Sequence, residues 1–213
     1  MNKTKKLAII FIALELLIYV SYLAVDFGFA DADSIKLKFI SICLCLVFSA
    51  IFTAFGGEKL ITAAMVFTLA ADNLLLVANS DYALGVALFC VVQAIYFYLL
   101  YRENGKTLLP VRIVLLAAAL ILLWKLNMFT GLNVLVAFYF TSFVCNVIQS
   151  LGTDKHLFSI GLALFLCCDI CVGIFNLSSL AGTEIYSFAT VGMWLFYLPA
   201  QVLIVLSGRR RKA

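Results

Sequence analysis

From Leu7 to Ser207 the sequence is a nearly unbroken succession of apolar runs, each about as long as a bilayer is thick, separated by very short polar breaks. A helix crossing hydrocarbon needs about 20 mainly apolar residues, and with no water present its backbone groups must bond within the segment. That ruler marks eight spans, at about 7–25, 38–55, 59–78, 82–101, 108–125, 130–150, 157–177 and 185–207. The expected fold class is therefore all-α, a polytopic bundle of eight transmembrane helices forming a single membrane domain over 1–213. Breaks this short make sequence neighbours antiparallel hairpins and leave no room for a soluble domain. Composition agrees: 65% of the residues are hydrophobic and 12% charged, far from the balance of a soluble domain.

Lysine and arginine in short loops set orientation. With a cytoplasmic N-terminus, Lys3, Lys5, Lys6, Lys59, Arg102, Lys106, Arg112, Lys155, Arg209, Arg210, Arg211 and Lys212 fall on that side, and only Lys36, Lys38 and Lys125 on the other. Both termini are thus expected to be cytoplasmic, in a cell (plasma or inner) membrane. The same distribution explains the net charge of +4 as topology and excludes a nucleic-acid footprint. The first span, KKLAIIFIALELLIYV followed by Ala30-Asp31-Ala32, imitates a secretory signal. Its length and Glu15 favour an uncleaved helix. Asp26, Asp31 and Asp33 then read as a solvated outer connection. The seven cysteines all lie in apolar runs and read as small buried hydrophobes. Cys167, Cys168 and Cys171 lack the second ligand pair that a zinc site needs, and the one histidine, His156, falls in a turn. Nothing in the sequence calls for a metal or an organic cofactor. There is no Gly-x-Ser-x-Gly elbow and no nucleotide-binding glycine signature.

The chemistry lies in polar residues inside the spans. The hairpin LAADNLLLVANSDYALGVALFCVVQAIY, from Leu69 to Tyr96, sets Asp72 and Asn73 in one run and Gln93 and Tyr96 in the next, across a turn at 79–81. A carboxylate in hydrocarbon costs roughly 3 kcal/mol or more, so it marks function or a partner. Glu15 in span one is either a functional carboxylate or the partner of a lysine. In span six Tyr139, Ser142, Asn146 and Gln149 form one stripe, which either bonds across helices or lines a cavity. Gly85-x3-Phe89-x3-Gln93 in span four matches Gly161-x3-Phe165-x3-Asp169 in span seven, with a looser Gly192, Phe196, Gln201 in span eight. Each half pairs an aspartate helix with a glutamine helix, a pattern compatible with a parallel 4+4 internal repeat. Pro199 frees the carbonyl of Leu195, which Gln201 or Tyr197 could satisfy. Span five reads as almost featureless, lipid-facing scaffold.

The segments LAADNLLLV…YALGVALFCVVQAIYFYLL, SIGLALFLCCDICVGIF and FYLPAQVLIVLS resemble the YhhN family of lysoplasmalogenase-type membrane proteins, with Lys38 where that family often has a lysine opening the second span. The resemblance implies eight spans, a lysophospholipid-type membrane lipid as substrate, and hydrolysis of its vinyl ether bond to a fatty aldehyde and a glycerophospho-alcohol. It carries the acidic positions onto Asp72 and Asp169. Two places depart from it: Ala71-Asp72 stands for the usual Gly-Asp, and Val92-Gln93 for the usual Ser-His. Glutamine bonds to hydrogen-bond partners but relays no proton at neutral pH.

Vinyl ether cleavage needs a general acid for the carbon β to oxygen and an anion to stabilise the oxocarbenium ion. Two carboxylates in different surroundings can divide those roles. The expected catalytic residues are Asp72 and Asp169, with Asn73, Gln93, Tyr96, Tyr197 and Gln201 positioning water or the lipid. The same intramembrane groups also fit a proton-coupled carrier of small solutes, or a non-catalytic membrane partner whose polar residues only join helices.

Overall fold

Each apolar run forms a helix in the structure, a computed structural model that describes residues 3–29, 33–78, 80–176 and 183–209, with the side chains of 183–187 left aside. The helices are α1 Lys3–Asp26, α2 Ser34–Ala54, α3 Lys59–Asp72, α4 Tyr82–Asn104, α5 Leu109–Lys125, α6 Gly131–Ser150, α7 His156–Asn176 and α8 Thr183–Ser207, with a π-helical turn at Asn73–Val77 continuing α3. Seven, with α3 counted through its π-helical turn to Val77, are long and apolar enough to cross a membrane; α5, with 17 residues, is the one that falls short. The all-α, eight-helix architecture expected from hydropathy is therefore present, with shifts of a few residues at the ends. Asn79, Asp31 and the closing basic run at 210–212 lie outside the described residues.

The shifts have local causes. Helix α2 begins at Ser34 rather than Lys38 because the Asp33 carboxylate accepts from the Ile35 amide at 3.0 Å and caps the helix. Lys38 thereby lies one turn inside the helix. Asp81 caps α4 in the same way through Leu84 N, 3.0 Å away. Gly105, at φ 66°, ends α4 in the left-handed region that glycine adopts without penalty. Pro110 sits in the first turn of α5, where its missing N–H costs nothing. His156, expected in a turn, is the first residue of α7.

The contacts group the chain into two compact units. One comprises Met1–Thr62 and Leu157–Ala213, the other Ala63–His156. In the first, α1 packs along α2, and both meet α8. Phe11 stacks on Phe48 at 4.8 Å and meets Phe52 edge-on at 6.4 Å. Close approach of α7 to α8 depends on Gly161, since a Cβ there would lie 3.1 Å from the Ala200 carbonyl oxygen and 2.9 Å from Ile204 Cγ1. In the second unit α4 and α5 pack against α6, and the π-helical turn folds back on α4. A Cβ on Gly85 would strike the Leu75 side chain of that turn at 2.6 Å. The glycine of each Gly-x3-Phe motif thus marks a tight contact inside its own unit.

Two substitutions separate backbone conformation from packing. Gly105→Ala meets no atom within 4 Å, so its cost is the left-handed backbone alone, about 1 kcal/mol. Gly161→Val forces apart α7 and α8 and should cost several-fold more, read as the loss of thermal midpoint of each variant in detergent micelles.

Candidate functional site

The last turn of α3 buries one face, with Thr68 and Ala71 both 0% exposed and Asp72 7% exposed, while Ala70 faces outward. The π-helical turn begins at the next residue, closed by Ala78 N donating to Asn73 O at 2.8 Å. Such turns frequently interrupt α-helices at functional positions. Asn73 itself is exposed. On α4, Gln93 and Tyr96 share one buried face, at 2% and 0% exposure. Of the expected residues in this unit, Asp72, Gln93 and Tyr96 therefore point inward and Asn73 outward.

In the other unit Asp169 is half-buried on α7, one turn beyond Phe165. The Phe165 ring lies 5.5 Å from that of Tyr197 on α8, and Trp194 meets Tyr197 edge-on at 5.6 Å. Gln201, one turn further along α8, is completely buried. Neither amide atom of Gln201 has a hydrogen-bond partner among the described residues, and neither does Nε2 of Gln93. Buried polar groups left unbonded cost about 1–3 kcal/mol each, so these two glutamines, like Thr68 Oγ1, mark places where the interior asks for a further polar atom.

The span-six stripe bonds across helices. Asn146 Nδ2 donates to both the main-chain and the side-chain oxygen of Gln93, at 2.9 Å each. Gln149 Nε2 donates to Asn104 Oδ1 at 3.2 Å and to the Lys106 carbonyl at 2.6 Å. Span five is not featureless: Arg112 on α5 completes the network. Its Nη2 donates to Asn146 Oδ1 at 2.7 Å and Gln149 Oε1 at 3.2 Å, and its Nη1 to the Ser142 carbonyl at 3.1 Å. Its Nε reaches the Thr107 carbonyl at 2.9 Å, and its guanidinium lies over the Phe97 ring at 4.7 Å. All these acceptors are neutral, and no carboxylate pairs with Arg112 among the described residues.

A second polar seam runs between α1, α2 and α8. Glu15, 2% exposed, accepts from Ser41 Oγ at 2.7 Å and Cys45 Sγ at 3.4 Å, so its partners are a hydroxyl and a thiol rather than a lysine. Lys38 is buried; its Nζ lies 2.8 Å from Asp26 Oδ2, donates to Ser34 Oγ at 3.0 Å, and sits 4.7 Å from the Trp194 ring centroid. Asp26 is accordingly the end of α1 held in an ion pair, not part of a solvated loop. The carbonyl that Pro199 frees is also satisfied differently from expectation. Tyr19 OH donates to Leu195 O at 3.0 Å, and Tyr22 OH to Trp194 O at 2.8 Å. Spacing offered a signal for this seam: 15, 19, 22 and 26 on α1, and 34, 38, 41 and 45 on α2, recur at three and four. No single residue in it forms a known motif, so the spacing alone names no partner.

The fold and these buried polar groups define a polytopic helical membrane protein. Comparison with protein-family models places residues 34–208 in the YhhN family, and the chain belongs to that family. No curated protein and no solved structure matches the chain.

The Lys38–Asp26 pair gives a direct test of what holds the first unit. Lys38→Met leaves Asp26 without its cation at a site where only 16% of that side chain is exposed, and should cost about 3 kcal/mol. Adding Asp26→Leu should restore most of that loss. Thermal midpoints of the two single variants and the double variant check this.

Proposed function

We propose that this protein is a membrane-embedded hydrolase of the lysoplasmalogenase type, cleaving the vinyl ether bond of lysoplasmalogens in the cell membrane. The chemistry requires a proton delivered to the alkenyl carbon β to the ether oxygen. Water then adds to the adjacent carbon of the oxocarbenium ion, and the hemiacetal so formed collapses to a fatty aldehyde and a glycerophospho-alcohol. Asp72 and Asp169 supply the acid and the stabilising carboxylate in this reading. Gln93, Tyr96, Tyr197 and Gln201 hold the water and the lipid, and Asn73 lies at the rim.

The observation that carries the reading is the set of unmet amide atoms on two buried glutamines, Nε2 of Gln93 and both amide atoms of Gln201, which find no hydrogen-bond partner among the described residues. Family membership over residues 34–208 supports it as well. An amide that only joins helices is expected to have both its ends bonded, as those of Asn146 and Gln149 are. Free amide atoms beside intramembrane carboxylate-bearing helices suit a ligand rich in oxygen. Gln93 is a hydrogen-bonding rather than proton-relaying group, so every proton transfer falls to the aspartates.

The test is release of fatty aldehyde from a lysoplasmalogen by the purified protein in lipid nanodiscs. Asp72→Asn and Asp169→Asn should each lower kcat/KM by about 100-fold or more, the span of a general acid or base, equal to about 3 kcal/mol of barrier. Unchanged rates in both variants, or no aldehyde from the unaltered protein, would overturn the proposal.

A further inference from the structure

The Arg112 network has a direction, and the direction fixes the orientation of Gln93. A guanidinium can only donate. Arg112 Nη2 therefore meets Asn146 at its oxygen, 2.7 Å away, and turns the Asn146 amide nitrogen toward α4. That nitrogen donates to Gln93 Oε1 and to the Gln93 carbonyl, both at 2.9 Å. Gln93 must then present Oε1 to Asn146, because the reverse orientation would set two N–H donors face to face. Its Nε2 is left as the outward end of a chain of donors that begins at a cation, in a residue only 2% exposed and with no acceptor for that nitrogen among the described residues. Successive bonds in such a chain polarise one another. Within Ala63–His156 this is a buried donor aimed at an oxygen that the described residues do not supply.

We infer that Gln93 Nε2 is a binding donor for an oxygen atom of the lysophospholipid substrate, and that Arg112 and Asn146 are positioning residues that hold it in the donating orientation. This rests on the lipid-hydrolase reading for the class of ligand and goes beyond it in assigning the atom and the residues behind it. Arg112 does not touch the lipid. Its role is to impose one of two orientations on the amides in front of it.

Asn146→Asp inverts that orientation with almost no change of shape. The new carboxylate pairs with Arg112, an attraction that offsets both the bond lost to the Gln93 carbonyl and the repulsion between that oxygen and the carboxylate. Its second oxygen now needs a donor, so Gln93 turns Nε2 toward α6 and presents Oε1 to the ligand. The probe is a saturated alkyl-ether lysophosphatidylethanolamine, which lacks the vinyl ether and is not cleaved by protonation. Its binding to the protein in nanodiscs is measured by native mass spectrometry.

Asn146→Asp should weaken binding about 10- to 100-fold with its thermal midpoint retained, since an unmet buried hydrogen bond costs that order of affinity. Gln93→Met, which removes the donor and keeps the volume, should weaken it about 10-fold. The double variant should be no weaker than the weaker single variant, because both changes act on one bond. Wild-type affinity in either single variant, additive losses in the double variant, or no binding of the probe by the unaltered protein each overturns the inference. Should Asn146→Asp fail to fold, the Gln93→Met arm decides alone. Binding without aldehyde release would sink the hydrolase reading and leave this one standing. Aldehyde release with both variants binding normally would do the reverse.

Discussion

In hydrocarbon a polar group cannot fall back on water, and the rest of this structure follows from that constraint. It makes every span a helix, because only a helix bonds its own backbone. It also governs the exceptions. Pro199 leaves the Leu195 carbonyl without its usual donor, and the hydroxyl of Tyr19 takes the place of the missing N–H. Gly105, Asp33 and Asp81 close helix ends where backbone groups would otherwise stand unbonded.

The two units meet the same demand by different chemistry. Around Lys38 charge is answered by charge, with Asp26 2.8 Å away and the Trp194 face on another side. Around Arg112 charge is answered by neutral groups: two main-chain carbonyls, the Phe97 ring and two side-chain amides whose oxygens face the cation. An ion pair is complete in itself. A cation answered by dipoles passes its preference along them, and the sequence of bonds ends at the Nε2 of Gln93. Glu15, held by Ser41 and Cys45, is a third case, a carboxyl group met by two weakly polar donors.

Much of this was legible in the residues before any coordinate. Eight helices and the shared face of Gly85, Phe89 and Gln93 follow from hydropathy and from steps of four. Asp72 and Gln201 stand out because polar residues in apolar runs are rare. The misses share one form. Asp26 looks like loop and Arg112 like a topological marker, and Tyr19 and Tyr22 do not stand out at all, because each is ordinary in its own segment. Asn146 and Gln149 were visible as a stripe, but a stripe does not say what it faces.

The sequence by itself determined the number of helices, their approximate limits and the positions of the costly polar groups. Those depend on local quantities: the length of an apolar run, a capping aspartate, a glycine at a helix end. Only the tertiary structure decided which groups answer which. Tyr19 and Leu195 are 176 residues apart, and Arg112 and Asn146 are 34 apart. Pairings at that range depend on how each helix is rotated about its axis, and that rotation is set by the packing of whole helix faces rather than by any one segment.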